Sequence, residues 1–369
     1  SFMNTLEHIV LNLFIYIINI FGYKPVKKIG FLKLDSIGDY ILVRNHIEYI
    51  KRHSIYKDYD FVLIGNKAVR DFVIALDNTL FEKTIWVDKH RNEHSFFYRL
   101  LIQYKIQKEK INILLYPTYS RDYISEHIIT YSNARQKICF DGDTFRITQE
   151  SKTYHNTNYT QIINSSTHVM FEFERNKYFF ETFLNTKINL TQPSIILTKN
   201  KPEREYILLS VSAGEPFREW SFVNFVALTR HLIQTYNYSV LISGFNNAPL
   251  PPELVSDRVI DKRNILNAPE IIEIINNARL IVCNDSAPLH IAAATAVPFI
   301  CISNGNHFGR FLPYPSHYNV YGKYLFPLPA FYEKSNFDML ADKNKYLSEF
   351  DINGISLKSV ISAIESFLN

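Results

Sequence analysis

The sequence predicts an α/β protein of two domains, each built around a parallel β-sheet. Apolar, partly β-branched runs alternate with amphipathic stretches along the chain, which is typical of parallel sheets. The 369 residues also exceed the usual limit of one hydrophobic core, so two domains are expected. Finally, a strand followed by a polar turn and a helix occurs twice, once in each half of the chain.

The first half supplies one predicted domain and the linker that follows it. Strands are predicted at 29–34, 59–65 and 111–117, and helices at 67–77, 94–108 and 170–187. The stretch 141–168 is rich in Thr, Asn, Ser and Tyr and has little apolar periodicity, which predicts a long surface loop or flap. The linker is expected at 190–194.

The second half alternates more regularly between strands and helices. Strands are predicted at 206–211, 239–243, 280–283 and 297–302, and helices at 221–236, 270–278 and 357–368. The run Leu280 to Cys283 is short and apolar, as expected of a strand that is covered on both faces. Pro288, a few residues later, suits the first turn of a helix.

The polar corner between that strand and that helix is the main candidate site. Backbone N–H groups from Ser286 and Ala287 onward, together with the positive end of the helix dipole, favour a phosphate group. Asp285 could hold sugar hydroxyls, and His290 lies one turn into the helix. The alternative is that Asp285 or Ser286 caps a core helix and that His290 is a buried histidine with its hydrogen bonds satisfied.

A second corner of the same kind lies near the start of the chain. A strand from Ile29 to Leu34 is followed by a polar turn that brings Asp39 to the beginning of a helix. Ligands of open α/β sheets bind at this edge, although Asp39 could also be a helix cap without chemistry. Two such corners predict two lobes that face one cleft.

Two further segments offer weaker candidates. Tyr119, Ser120 and Arg121 end a strand and could contact a sugar or phosphate of an acceptor, or could form an ordinary strand-to-helix connection. His307 and Arg310 lie with two glycines after the last predicted strand, which suits a nucleotide or diphosphate contact.

Composition narrows the classes of partner. A formal net charge of +4 is mild and gives no broad basic field, so no nucleic acid is expected. The three cysteines, Cys139, Cys283 and Cys301, show no CxxC spacing. Cys283 and Cys301 lie in apolar strands, which predicts buried free thiols in a reducing, cytoplasmic compartment.

The N-terminal segment is apolar from Ile9 to Phe21 and is followed by Lys24, Lys27 and Lys28. This run is too short to span a bilayer, which takes about 20 residues. Residues 5–28 could lie on the inner face of the cytoplasmic membrane, with the lysines toward anionic lipid. Equally, the helix could pack against the body of the protein or a dimer partner.

Three motifs carry a family resemblance: LDSIGDYIL at 34–42, SAGEPFREWSFVNFVAL at 212–228 and NDSAPLHIAAATAVPFI at 284–300. In this order they resemble glycosyltransferase family 9, the ADP-heptose:lipopolysaccharide heptosyltransferase-like enzymes, over roughly residues 26–315. The resemblance implies a GT-B fold, with two Rossmann-like domains whose parallel sheets face a central cleft. It also implies a bacterial enzyme of lipopolysaccharide biosynthesis that inverts the anomeric centre and needs no metal or other cofactor besides its nucleotide diphosphate sugar donor, such as ADP-heptose.

The resemblance also assigns roles to residues. Asp39 matches the family's catalytic aspartate. Asp285, Ser286, Ala287 and His290 match its D-T-G-x-x-H donor motif, with Ser-Ala in place of Thr-Gly. Arg218 stands where members often carry a basic residue before a tryptophan, here Trp220, and Ser212 and Gly214 of the same motif are further donor-binding candidates. The segment 241–249 lacks the acidic residue that some heptosyltransferases place near the ribose, so neither base nor sugar is fixed.

The reaction follows from elementary chemistry. A sugar hydroxyl is a poor nucleophile, so a carboxylate, here Asp39, must take its proton during attack on the anomeric carbon. Arg218 and the 286–288 corner could stabilise the charge that grows on the departing diphosphate, although Arg218 could also be an ordinary surface arginine. The acceptor would be a glycan or a lipid-linked saccharide of the lipopolysaccharide type.

Two alternatives remain open at this point. One is a metal-dependent GT-A transferase that uses a D-x-D motif, for which the chain offers Asp58–Asp60 and Asp141–Asp143. The other is a non-catalytic protein that binds a sugar nucleotide or glycan and keeps only the shape of the enzyme.

The predicted domain limits follow from these elements. They are an apolar helix at 1–25, an acceptor domain at 26–192, a donor domain at 193–350, and a C-terminal helix at 351–369 that packs back toward the N-terminal domain.

Overall fold

The computed structural model describes residues 5–20 and 24–368. The ends of the predicted N-terminal helix, at 1–4 and 21–23, therefore lie outside the described residues. The chain forms two compact units. Unit 1 comprises residues 1–166 and 175–189, and unit 2 comprises 167–174 and 190–369. The change of unit at 189–190 falls at the predicted linker, but the short segment 167–174 belongs to unit 2.

Unit 1 contains a six-stranded parallel sheet flanked by helices. Its strands are β1 (Lys28–Lys33), β2 (Asp60–Asn66), β3 (Lys83–Val87), β4 (Ile113–Tyr116), β5 (Gln136–Phe140) and β6 (Gln161–Ile163). Its helices are α1 (Thr5–Ile20), α2 (Ile37–His53), α3 (Arg70–Asp77), α4 (Lys89–His94), α5 (Phe96–Glu109), α6 (Tyr123–Tyr131), α7 (Gln149–Asn156) and α8 (Glu172–Leu184). Helix α8 begins in the unit 2 segment and continues into unit 1.

Unit 2 repeats this design. Its strands are β7 (Tyr206–Ser210), β8 (Ser239–Ser243), β9 (Val259–Asp261), β10 (Leu280–Asn284), β11 (Phe299–Ile302) and β12 (Gly322–Leu325). Its helices are α9 (Phe222–Thr235), α10 (Ala268–Asn276), α11 (Ala287–Ala294), α12 (Phe337–Asn344) and α13 (Leu357–Leu368). Helix α13 packs against α9, the edge strand β12 and its neighbour β11 in its own unit.

Both sheets have the strand order of a Rossmann fold. The order in unit 1 is β3-β2-β1-β4-β5-β6, and that in unit 2, read from the far edge, is β9-β8-β7-β10-β11-β12. Every strand pair is parallel, with β1 between β2 and β4 and β7 between β8 and β10. The prediction of two Rossmann-like parallel α/β domains is confirmed.

The central strands are buried on both faces, which explains their continuous apolar runs. In unit 2 the apolar core joins β7, β8, β10 and β11 to α9 and α13, and Trp220 lies within it. Trp220 is therefore a core residue of unit 2. Its indole N–H donates to the backbone carbonyl of Ile355 at 3.0 Å.

One prediction from the sequence is wrong. The stretch 141–168 is not a single long loop, because it contains α7 and the edge strand β6. Thr148 caps α7 by accepting a hydrogen bond from the N–H of Ser151 at 3.2 Å, and β6 pairs with β5. Helix α7 is short and largely polar and β6 has only three residues, so neither leaves a clear apolar period in the sequence.

Cys283 and Cys301 are buried free thiols, as predicted, and Cys139 is also a buried free thiol. Within residues 5–20 and 24–368, no helix is long and apolar enough to cross a bilayer.

Candidate active site

Each sheet has a topological switch point, where the strand order reverses and a crevice opens at the carboxyl ends of two neighbouring strands. In unit 1 this point lies between β1 and β4, and in unit 2 between β7 and β10. Asp39 follows β1, while Tyr119 and Ser120 follow β4. In unit 2, Ser212, Gly214 and Arg218 follow β7, while Asp285 and Ser286 follow β10. The stronger candidates therefore lie at the carboxyl edges of the two sheets.

Asp39 lies in the first turn of α2 and is half-buried. One oxygen of its carboxylate accepts hydrogen bonds from the hydroxyl of Ser36 at 2.6 Å and from the Ser36 N–H at 3.3 Å. Ser36 is the N-cap residue, so the two residues form a capping box. Asp39 is thus part of the helix start, and the same contacts fix the direction of its carboxylate.

A buried charge cluster lies beside this corner and was missed in the sequence. The ammonium of Lys33, at the end of β1, lies 2.8 Å from the carboxylate of Asp35. Thr118, after β4, donates to Asp35 at 2.8 Å and accepts from Lys33 at 3.2 Å. The guanidinium of Arg146 lies 3.3 Å from the other carboxylate oxygen.

Burial would raise the pKa of the Asp35 carboxyl, but Lys33 and Arg146 together hold that pKa well below its usual range. The Asp35 carboxyl is therefore ionised at neutral pH. The cluster ties the loops after β1 and β4 together at the switch point.

The predicted acceptor residues have structural partners. The Arg175 guanidinium carbon lies 3.8 Å from the centroid of the Tyr119 ring. The hydroxyl of Ser120 donates to Asp143 at 2.8 Å. Arg121 has no exposed surface and donates to Glu126 at 2.6 Å and to the Asn156 side chain at 2.7 Å. Its burial favours the alternative of an ordinary strand-to-helix connection, and contact of these residues with an acceptor stays a prediction.

The corner of unit 2 is organised by Arg218. Its Nη2 atom lies 3.0 Å from the Asp285 carboxylate and also donates to the backbone carbonyl of Asp285. The neighbouring Asn284 accepts a hydrogen bond from the N–H of Trp220 at 2.9 Å. These contacts fasten the loop after β7 to the end of β10, so two elements far apart in sequence form one surface.

Asp285 is almost fully buried. Burial raises the pKa of its carboxyl, and the charge of Arg218 offsets this in part. The Nδ2 atom of Asn284 is also buried and lacks a partner among the described residues. Asn284 was not singled out in the sequence, although its place directly before Asp285 in the third motif was the available signal.

Helix α11 begins beside this pair. Ser286 is its N-cap residue, but the hydroxyl donates back to the Asn284 carbonyl at 3.3 Å and does not cap the helix. Pro288 has no N–H, and the N–H of Leu289 bonds to the Ser286 carbonyl at 3.1 Å. The backbone N–H groups of Ser286 and Ala287 are therefore the donors that this helix start can offer to an anion.

His290 is buried one turn later, and its Nδ1 atom lies 2.9 Å from the hydroxyl of Tyr314. Burial, together with the nearby charge of Arg218, lowers the pKa of His290 to about 3. The imidazole is therefore neutral at physiological pH. This geometry matches the alternative of a buried histidine with a satisfied hydrogen bond, and a donor contact stays a prediction.

The loops after β7 and β8 meet closely. The hydroxyl of Ser212 accepts from the N–H of Phe245 at 3.0 Å. Gly244 has a φ of +107°, and a Cβ atom there would lie 2.6 Å from the Ser212 hydroxyl oxygen. At Gly214, by contrast, a Cβ atom would meet no atom within 4 Å. Ser212 thus positions the neighbouring loop, while Gly214 borders open space.

The two remaining candidates follow β11. His307 adopts a φ of +57° and lies 3.1 Å from the Asn306 side chain. Arg310 is mostly buried, and its guanidinium lies 3.4 Å from the carboxylate of Glu172. Its backbone carbonyl also accepts from the Glu172 N–H at 2.7 Å, so Arg310 holds the segment 167–174 against unit 2.

The comparison with protein families decides the classification. The family model described as Glycosyltransferase family 9 (heptosyltransferase) matches residues 123–340, which is more than half of the chain. The chain belongs to glycosyltransferase family 9. It is therefore a glycosyltransferase, and the predicted family is confirmed.

Solved structures of family 9 enzymes have the same fold. A family 9 glycosyltransferase from Veillonella parvula DSM 2008 is 14% identical, with 94% of this chain and 98% of that chain covered and a TM-score of 0.68. E. coli heptosyltransferase WaaC, solved with ADP-2-deoxy-2-fluoro heptose, is 14% identical, with coverages of 92% and 99% and a TM-score of 0.68. E. coli ADP-heptose LPS heptosyltransferase II is 12% identical, with coverages of 92% and 98% and a TM-score of 0.66.

No curated protein gives a significant sequence match. The fold of this glycosyltransferase family 9 chain is GT-B, which excludes the GT-A alternative.

The acidic residues of the two D-x-D motifs have structural partners or positions instead. Asp60 begins β2, and Asp143 accepts from Ser120 and from the N–H of Phe145. Over the described part of the chain, no group of three or more His, Cys, Asp or Glu side chains could hold a metal ion.

Proposed function

We propose that this chain is an inverting, metal-independent glycosyltransferase with Asp39 as its general base. It transfers a sugar, with heptose as the first candidate, from a nucleotide diphosphate sugar to a glycan or lipopolysaccharide-type acceptor. The proposal is supported by the chemical groups that lie at the switch points of the two sheets. A carboxylate on a helix start and an arginine-lined helix start each occupy the switch point of a Rossmann sheet.

The proposed step is a single displacement. Asp39 takes the proton of an acceptor hydroxyl, and the hydroxyl oxygen forms a bond to the anomeric carbon. The bond from that carbon to the diphosphate breaks on the opposite face, so the configuration inverts. The nucleoside diphosphate leaves with the electron pair, and Asp39 ends the step protonated.

Unit 1 supports the role of Asp39 through orientation. The hydroxyl and N–H of Ser36 hold one carboxylate oxygen, which leaves the direction of the group fixed relative to α2. A base that is already oriented loses little entropy when the acceptor arrives. The adjacent Lys33–Asp35–Thr118 cluster keeps the loop around it in one arrangement.

Unit 2 supports the role of the donor corner through electrostatics. Arg218 and the N–H groups of Ser286 and Ala287 offer donors to a diphosphate, whose negative charge grows as the sugar departs. The carboxylate of Asp285 would repel that charge, but its ion pair with Arg218 compensates, and its oxygens can accept hydrogen bonds from sugar hydroxyls. The neutral His290 adds no repulsion toward Arg218.

The donor can be identified by thermal shift with a panel of nucleotide sugars. A ligand that binds the folded state alone raises the melting temperature, so ADP-heptose should give a larger rise than sugars on other bases. Asp285→Ala should abolish the rise, whereas Glu253→Ala, an exposed change in the same unit, should leave it intact.

Turnover is then measured by mass spectrometry of the glycosylated acceptor and by release of nucleoside diphosphate. A product with inverted anomeric configuration supports the mechanism. Binding of a nucleotide sugar without transfer to any acceptor would instead support the non-catalytic alternative. We also propose that the enzyme acts at the inner face of the cytoplasmic membrane, where a lipid-linked acceptor would lie.

A further inference from the structure

Helix α1 carries an apolar face that unit 1 does not cover. Its outward residues recur every three or four positions, so they form one stripe along the whole helix. They are Leu6, Ile9, Leu13, Tyr16, Ile17 and Ile20, and their exposed fractions range from 44% to 68%. Single exposed apolar residues are common on proteins, but a continuous stripe marks an interaction surface.

The opposite side of α1 is fixed to unit 1. Glu7 forms an ion pair with Arg99 of α5 at 2.6 Å, and His8 is hydrogen-bonded to the hydroxyl of Tyr131 in α6. Leu11 is fully buried. These contacts set the rotation of the helix, so the apolar stripe points away from the unit.

Helix α5 lies beside α1. The chain enters α1 next to Arg99 and meets the end of α5 again where the N–H of Val26 donates to the Lys110 carbonyl at 3.0 Å. Residues 99 and 110 are about 17 Å apart along a helix, and the 16 residues of α1 span about 24 Å. The two helices therefore run in the same direction over most of their lengths.

Helix α5 has an exposed apolar stripe of its own. Phe97, Leu101 and Tyr104 follow one another at helical spacing, with exposed fractions of 81%, 44% and 49%. Their backs are closed by the buried residues Ile102 and Ile106, which face the core of unit 1. We name the combined outward residues of α1 and α5 the α1–α5 face.

Lysines border the α1–α5 face. Lys105, Lys108 and Lys110 lie on or just after α5, and Lys24 and Lys27 follow α1, all of them exposed. The acidic side chain in this stretch of α5, Glu109, is paired with Lys28 at 2.8 Å. The border is therefore positively charged, whereas the face itself is apolar.

We propose that the α1–α5 face docks the enzyme on an anionic lipid bilayer, with both helices lying along its surface. Apolar residues would enter the boundary between head groups and acyl chains, while the lysines would meet anionic head groups. A second copy of the chain fits less well, since pairing two such faces would bring their lysines together. The surface is distinct from the switch points that carry the proposed reaction.

Sedimentation with vesicles tests the proposal on the chain of residues 1–369. The protein should bind vesicles of phosphatidylcholine mixed with phosphatidylglycerol and bind pure phosphatidylcholine vesicles much more weakly. Leu13→Glu and Leu101→Glu should each weaken binding to the mixed vesicles by about tenfold or more, because each replaces a leucine that would be buried in the lipid by a charged side chain. Lys105→Ser and Lys108→Ser should each weaken it by about fivefold.

Ile55→Glu is the matched control, because Ile55 is 83% exposed in the turn after α2, outside the α1–α5 face, and its change should leave binding unaltered. Melting temperatures confirm that each variant folds. Equal binding of Leu13→Glu and the parent chain to mixed vesicles would overturn the proposal. The proposal would also be overturned if the parent chain bound neither type of vesicle, formed a dimer on gel filtration, and Leu13→Glu dissociated that dimer. Vesicle binding needs no turnover, so its outcome is independent of the proposed reaction.

Discussion

Replacing Arg218 by methionine should destabilise unit 2 by about 3 kcal/mol. Asp285 is 2% exposed, and the Arg218 guanidinium lies 3.0 Å from its carboxylate. Removing one partner of a buried ion pair costs about 3–5 kcal/mol, because the other charge stays buried and uncompensated. The lower end applies here, since 16% of the Arg218 side chain is exposed and water can reach the gap.

The cost should depend on Asp285 and on pH. In an Asp285→Asn background the same change should cost only about 1 kcal/mol, the value of an ordinary hydrogen bond. In the Arg218→Met variant with Asp285 intact, the Arg218 charge that lowers the pKa of the Asp285 carboxyl is gone, so this already raised pKa rises further. Because the pKa of the Asp285 carboxyl is higher in the folded chain than its unfolded value of about 3.8, the loss of unfolding free energy is small below pH 3.8. This loss grows as pH rises through the folded pKa. The deficit should therefore be larger at pH 8 than at pH 5.

Urea unfolding followed by tryptophan fluorescence measures this. The chain has two tryptophans, so a Trp86→Phe background leaves Trp220 to report on unit 2. Arg230→Met is the control, because the Arg230–Glu253 pair is exposed to solvent and its loss should change stability little. The reasoning is refuted if Arg218→Met costs no more than this control, or costs the same with and without Asp285.

Three other predictions concern two loop glycines, the buried His46 of α2 and metal. Gly244→Ala should destabilise unit 2 by about 2 kcal/mol, because of its positive φ and the contact with Ser212, whereas Gly214→Ala should change stability by less than about 0.5 kcal/mol; equal urea midpoints would contradict this. Burial lowers the pKa of His46 to about 3, so the unfolded chain binds a proton that the folded chain rejects as pH falls below 6.5. Stability should then fall by up to about 1.4 kcal/mol per pH unit from this residue, and His46→Leu should flatten the slope of unfolding free energy against pH by that amount; an unchanged slope would show that the imidazole titrates normally. Turnover should be complete in EDTA, and a strict requirement for manganese or magnesium would contradict the metal-independent mechanism.

The sequence predicted the two switch-point corners because their signals are local. A buried strand, a polar turn and a helix start lie within about twenty residues at Asp39 and again at Asp285. Parallel strands place their carboxyl ends at one edge, so the topology follows once the alternation is recognised. The family motifs lie at these same corners.

The contacts that could not be predicted cross the sheet. Asp35 meets Thr118, which is 83 positions later, and Arg218 meets Asp285, which is 67 positions later. No local pattern distinguishes the buried Arg121 from an exposed arginine, because its environment is built by Glu126 and Asn156 from other elements. The strand β6 was missed for a similar reason: its three residues are ordered by pairing with β5.

The central claim is that Asp39 is the general base, and the kinetics of Asp39→Asn test it most directly. Asparagine preserves the size of the side chain and can still bond to Ser36, but it cannot take a proton. The account predicts that kcat falls by 10²-fold or more, about the contribution of a general base, while donor affinity in the thermal shift assay stays unchanged. Ser36→Ala, which removes one hydrogen bond to the carboxylate, should reduce kcat far less. Turnover by Asp39→Asn at the rate of the parent enzyme would contradict the account.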